Sequence, residues 1–130
     1  MKRHLIVHPL GGLTEEFVIL HADSPVLSVY TSRNSNRFLV ESIDFYDGKF
    51  VIIPIDDATL VKFLEGSVDM YSLFKNAPVA YVTVESENYD LIGKEYPRGE
   101  IPDEFCPNRA VLGFSNERIE GYIEKIRGSQ

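Results

Sequence analysis

The sequence predicts an α+β domain: an antiparallel sheet of four or five strands, two short helices after the fourth strand, and a C-terminal helix packed on one face. Three observations carry this reading. Short β-branched and aromatic runs separated by turn residues fill the first half. After Pro54 the apolar period changes from that of a strand to that of a helix. A second helical stripe closes the chain.

The strands come first. Phe17-Val18-Ile19-Leu20 precedes the turn signal Asp23-Ser24-Pro25, and Val26-Leu27-Ser28-Val29-Tyr30 follows it. Arg33-Asn34-Ser35-Asn36 is a loop by composition and leads into Phe38-Leu39-Val40-Glu41-Ser42-Ile43. Asp47-Gly48 tolerates the positive φ of a tight hairpin and delivers the chain into Lys49-Phe50-Val51-Ile52-Ile53. Short connections between successive strands favour an antiparallel meander.

The helices follow. Asp56 or Asp57 offers a carboxylate to the free amides of a first turn, and Leu60, Phe63 and Leu64 share one face. Gly66 supplies a left-handed stop. Ser67 or Asp69 then caps a second helix carrying Met70, Leu73 and Phe74. Ala77-Pro78 breaks it, and Val79 to Val84, apolar on both parities, resumes a strand inside the sheet. Glu85 to Pro107 reads as a long, partly ordered loop with Tyr89, Leu91, Ile92, Tyr96, Ile101 and Phe105 as anchors. Ser115 or Asn116 caps the last helix, striped by Ile119, Tyr122, Ile123 and Ile126.

A chain of 130 residues with 44% hydrophobic residues and no linker-like tract is one domain with a real core, residues 1–130. Its longest apolar run stops at Pro54, short of the roughly 20 residues that cross a bilayer. Too few apolar residues precede His8 and Pro9 for a signal core, so no membrane association and a cytoplasmic address are expected. The single cysteine, Cys106, excludes an internal disulfide and a cysteine-based zinc site. A net charge of −7 argues against nucleic acid, whose affinity comes from Lys and Arg displacing counterions.

No motif supplies chemistry. Phosphate-loop, dinucleotide, hydrolase-elbow and CxxC patterns are all absent, and no cofactor or metal is expected. His4 and His8 have a metal-like spacing, but Leu5-Ile6-Val7 between them is strand-like and Pro9 follows. His21 and Asp23 could form a base and its orienting carboxylate, and Cys106 a nucleophile; a small hydrolase or metal-dependent enzyme using these three is the alternative reading. Each also has a plain structural role, in a turn or a partly buried core position.

The charge is unevenly placed. Residues 41–69 and 85–104 each sum to −5, and the other segments sum to +1 apiece. The second block mixes carboxylates with aromatics, which together can anchor and steer a basic partner. Its candidate contact residues are Glu85, Glu87, Tyr89, Asp90, Glu95, Tyr96, Asp103 and Glu104.

The run from Asp23-Ser24-Pro25 through Pro54-Ile55-Asp56-Asp57 to Gly66-Ser67-Val68-Asp69-Met70-Tyr71-Ser72-Leu73-Phe74 resembles an uncharacterised bacterial domain-of-unknown-function family. That family has a D-x-P start, a P-x-S helix start and an L-x-x-G-x-[IV]-D-L-R-x-x-F segment. Met70-Tyr71 stands here in place of its Leu-Arg pair, and Ile101 to Pro107 resembles its tail. The likeness covers about residues 13–113 and implies a bacterial cytoplasmic setting, with no catalytic residues to transfer. The expected function is a non-enzymatic, immunity- or antitoxin-type or phage-defence protein whose acidic surface binds a basic protein, such as a toxin or nuclease. A structural homodimer, joined through a sheet edge or the last helix, is a further alternative.

Overall fold

The computed structural model describes residues 5–8, 11–19, 27–32, 36–44, 49–85 and 90–128. In chain order the elements are β1 (Leu5–His8), β2 (Gly11–Ile19), β3 (Ser28–Ser32), β4 (Arg37–Asp44), β5 (Lys49–Pro54), α1 (Asp57–Leu64), α2 (Met70–Lys75), β6 (Val79–Glu85), β7 (Asp90–Pro97) and α3 (Asn116–Gly128), with a single 3-10 turn at Asp103–Phe105.

The fold is α+β. Five successive strands, β3 to β7, form an antiparallel sheet in which each pairs with the next. β2 continues the ladder beyond β3, and β1 beyond β2. A parallel pairing of β1 with β7, Ile6 opposite Asp90 and His8 opposite Ile92, closes the sheet into a barrel. Closure satisfies the backbone groups that an open edge would leave exposed. The free edge on which a homodimer could have been built is therefore absent among the described strands.

Both faces of β3 to β6 carry buried residues, which explains why these strands are apolar on both parities. Val29, Leu39, Val51, Ile53 and Ala80 face the helices and merge with Leu60, Phe63, Leu64, Leu73 and Phe74 into the main core. Tyr30, Phe38, Val40, Ile52 and Tyr81 form a second cluster on the opposite face. The register that produces this alternation sets Leu39 opposite Ile53 and Val40 opposite Ile52.

Local signals place the helices. The Asp56 carboxylate accepts from the Thr59 amide at 2.7 Å and starts α1; that of Asp69 accepts from the Ser72 amide at 2.6 Å and starts α2. Gly66 turns with φ +89° after α1. There the following chain packs closely: the Phe114 amide donates to the Leu64 carbonyl at 2.8 Å. The Ala110 carbonyl likewise accepts from Met70 at 2.9 Å. Ser115 supports the start of α3, accepting through its hydroxyl from Arg118 at 3.4 Å, and Ile119 is buried while Tyr122 and Ile123 pack against the core.

One expectation needs correcting. The stretch expected as a loop from Glu85 to Pro107 contains β7, which pairs with β6 from Val79–Pro97 to Glu85–Leu91. Its carboxylates and prolines read as breakers, yet an available partner strand decides strand formation more than propensity does. Gly93 lets the two backbones approach closely opposite Thr83. Beyond β7 the chain is loop again, anchored by fully buried Ile101. The turns at Asp23-Ser24-Pro25 and Asp47-Gly48 lie outside the described residues.

Candidate functional site

The described acidic residues expected between 85 and 104 are spread over the end of β6, β7 and the loop that follows it. Glu85 ends β6 and Asp90 begins β7, whereas Glu87 and Tyr89 lie outside the described residues. The Glu95 carboxylate accepts from the Tyr81 hydroxyl across the ladder at 3.0 Å. Burial, then this hydrogen bond and the carboxylate's charge, push the Tyr81 phenol up to about 12. Tyr96 is half-buried, its ring 6.4 Å from Phe105 and 5.2 Å from the Lys94 ammonium. Asp103 belongs to a network of its own: its carboxylate accepts from Tyr71 at 2.7 Å and from Lys75 at 3.0 Å. These contacts hold the Asp103 carboxyl below its ordinary value, and Lys75 also donates to the Ile101 carbonyl at 2.6 Å. Glu104 is exposed. Of the expected contact set, Glu95, Tyr96 and Asp103 are thus engaged within the chain, and Glu87 and Tyr89 fall outside the described residues.

A second acidic surface was not anticipated. Val61 of α1 with Ile119 and Ile123 of α3 floors a groove of about 780 Å³, and Glu65, Glu120 and Glu124 line it. The spacing on α3 produces this arrangement, since residues four apart stand on one helix face and pair Ile119 with Ile123 and Glu120 with Glu124. Glu65 accepts from the Ser67 hydroxyl at 2.9 Å. Glu120 and Glu124 have no ion pair among the described residues, although like charges at this spacing repel. The available signal was this pair beside the apolar stripe. It was hidden because residues 105–130 sum to +1.

Several nearby cations are already engaged by their own chain. The Arg109 guanidinium donates to Asp69 at 3.3 Å and stacks 4.3 Å from the Tyr71 ring centre. Arg118 lies 4.4 Å from the Phe114 ring centre and 5.7 Å from that of Tyr122. Arg118 is thus folded onto aromatic faces, and it forms no ion pair with Glu120 or Glu124 among the described residues.

The enzymatic candidates are not brought together by any described geometry. Cys106 is half-buried, its thiol directed to the Pro102 carbonyl at 3.8 Å. Loss of water around it raises its pKa above the ordinary value, the reverse of nucleophile activation. His21 and Asp23 lie outside the described residues. Among the described residues no group of three or more His, Cys, Asp or Glu side chains could hold a metal, and no helix is long and apolar enough to cross a membrane. Comparisons with protein-family models, curated proteins and solved structures find no match, so geometry alone carries the functional reading.

Proposed function

We propose that this protein is a non-enzymatic binding module whose acidic surface takes a basic protein, and that the partner's contact segment is amphipathic and lies in the groove between α1 and α3. The supporting observation is the pairing of an apolar floor, Val61, Ile119 and Ile123, with the flanking carboxylates of Glu65, Glu120 and Glu124. Apolar contacts hold such a segment, while the carboxylates select a cationic one and speed its arrival. A cationic toxin or nuclease, kept inactive by occlusion in a bacterial cytoplasm, is the partner class that this chemistry suits.

A fluorescein-labelled amphipathic Lys/Leu helix serves as the probe, read by anisotropy. Binding should weaken as salt rises and shortens the screening length from about 10 Å at 0.1 M. Reversing Glu120 and Glu124 to Lys should cost about tenfold or more in affinity, equal to roughly 1.4 kcal/mol. Reversal of Glu95 and Glu104 should cost less. Unchanged affinity after the Glu120/Glu124 reversal refutes the groove, and a larger loss from Glu95/Glu104 moves the site to β7 and the loop after it.

A further inference from the structure

Along another side of α1, the acidic chain holds a basic-edged cavity. Its volume is about 800 Å³, within the roughly 300–1,000 Å³ of small-molecule sites. The walls come from the start of β4, the end of β5, one side of α1 from Thr59 to Lys62, the later part of α2 and the turn after β7. Phe38, Ile53, Leu73 and Val79 supply apolar surface, and three cations, Arg37, Lys62 and Arg98, are distributed along it.

The three cations differ in commitment. Arg37 is largely buried and donates through one terminal nitrogen to the Asp57 carboxylate, which fixes its plane. Its Nε is buried and carries no hydrogen bond. The side chains of Lys62 and Arg98 are exposed and make no hydrogen bond or close ion pair among the described residues, although the Lys62 charge helps hold the Asp56 carboxyl below its ordinary value. By contrast Lys75, Arg109 and Arg118 are all held by their own chain. The carboxylate of Asp56, also on the wall, is turned to the Thr59 amide as a helix cap. Uncommitted positive charge over an apolar floor has its complement in one ligand chemistry.

We propose that this cavity binds a small organic anion, an apolar body ending in one carboxylate or phosphate. The body lies against Phe38, Leu73 and Val79, and the head group meets Lys62 and Arg98. This site is separate from the groove between α1 and α3 and does not depend on the binding function proposed for that groove.

Fluorescence of anilinonaphthalene sulfonate reports occupancy, and decanoate, decyl phosphate and decanol compete for it. Decanoate or decyl phosphate should displace the dye from the wild type at concentrations where decanol does not; which of the two anions acts reads the head group. In a Lys62→Gln/Arg98→Gln variant, affinity for the active anion should fall by about tenfold, the value of one charge-assisted hydrogen bond of roughly 1.5 kcal/mol, and decanol should be unaffected. Both side chains are exposed, so the variant keeps its fold, which circular dichroism checks. Absence of saturable dye binding, equal displacement by decanol, or undiminished anion affinity in the variant overturns the proposal.

Discussion

Replacing Gly93 by alanine tests whether β6 and β7 approach as closely as the barrel requires. An added Cβ would lie 2.4 Å from the Thr83 methyl carbon, 2.4 Å from the Val82 carbonyl oxygen and 2.8 Å from the Thr83 Cα. Favourable contacts between carbon atoms begin near 3.5 Å, so the strands must separate by about 1 Å. Two of the three atoms met are backbone, and no side-chain rotation relieves them. Overpacking of this kind costs about 1–3 kcal/mol, and the backbone clash puts Gly93→Ala at the upper end. Gly121→Ala is the counterpart: nothing lies within 4 Å of its added Cβ, and a helical glycine costs about 0.5–1 kcal/mol relative to alanine. Urea unfolding followed by circular dichroism measures both. With m of about 1–3 kcal/mol/M, the Gly93 variant should lose about 1 M in its midpoint while the Gly121 variant gains a few tenths. A Gly93→Ala midpoint within about 0.2 M of wild type would refute the close approach.

Further outcomes follow from the caps, the core and the thiol. Asp56→Ala removes the acceptor for the Thr59 amide and should cost about 1 kcal/mol by urea unfolding, with Asp56→Asn close to neutral; equal losses from both would rule out capping. Asp56, Asp69 and Asp103 are each held below the ordinary 3.8, the first two mainly by backbone amides of Thr59 and Ser72 and the last by Tyr71 and Lys75. Stability from these groups is complete above that ordinary value and is lost as pH falls through it to the depressed folded values. Urea midpoints should therefore drop below about pH 4, and less steeply in an Asp56→Asn/Asp103→Asn variant; an unchanged slope contradicts this. Phe63→Ala empties a fully buried position between helix and sheet and should cost about 3–5 kcal/mol, a large part of the 5–15 kcal/mol typical of a domain. Cys106 should react with a disulfide reagent at pH 7 more slowly than free cysteine, and a faster rate would contradict its desolvated state.

Features decided within a few residues were readable in advance. Asp56, Asp69 and Gly66 do their work on amides and dihedrals next to them, so composition and spacing found α1 and α2 at nearly their true limits. The Leu60-Phe63-Leu64 face was legible for the same reason. β7 was not, because its place depends on β6 offering a ladder, and Glu95 looks like a solvated charge until Tyr81 is seen opposite it. The groove joins Val61 to Ile119 and Ile123 across more than fifty residues, and the cavity joins Arg37, Lys62 and Arg98 from three separate elements. Totals of charge along the chain cannot reveal such convergence. They hid an acidic groove in a segment of positive sum and a basic cavity in an acidic protein.

The closing seam between β1 and β7 also has a kinetic meaning. Ile6 and Asp90 are separated by most of the domain, whereas each hairpin from β2 to β5 joins near neighbours. A contact across that separation carries the largest loop-closure entropy in the sheet and, being parallel, gains slightly less per residue once made. During synthesis β1 emerges first yet must wait for β7, so the earliest strand is among the last to find both its neighbours. Amides of residues 6 to 8 that bond across the seam should exchange with solvent ahead of those in the β4–β5 ladder. The barrel in that sense has a zip, with β1 and β7 as its two edges.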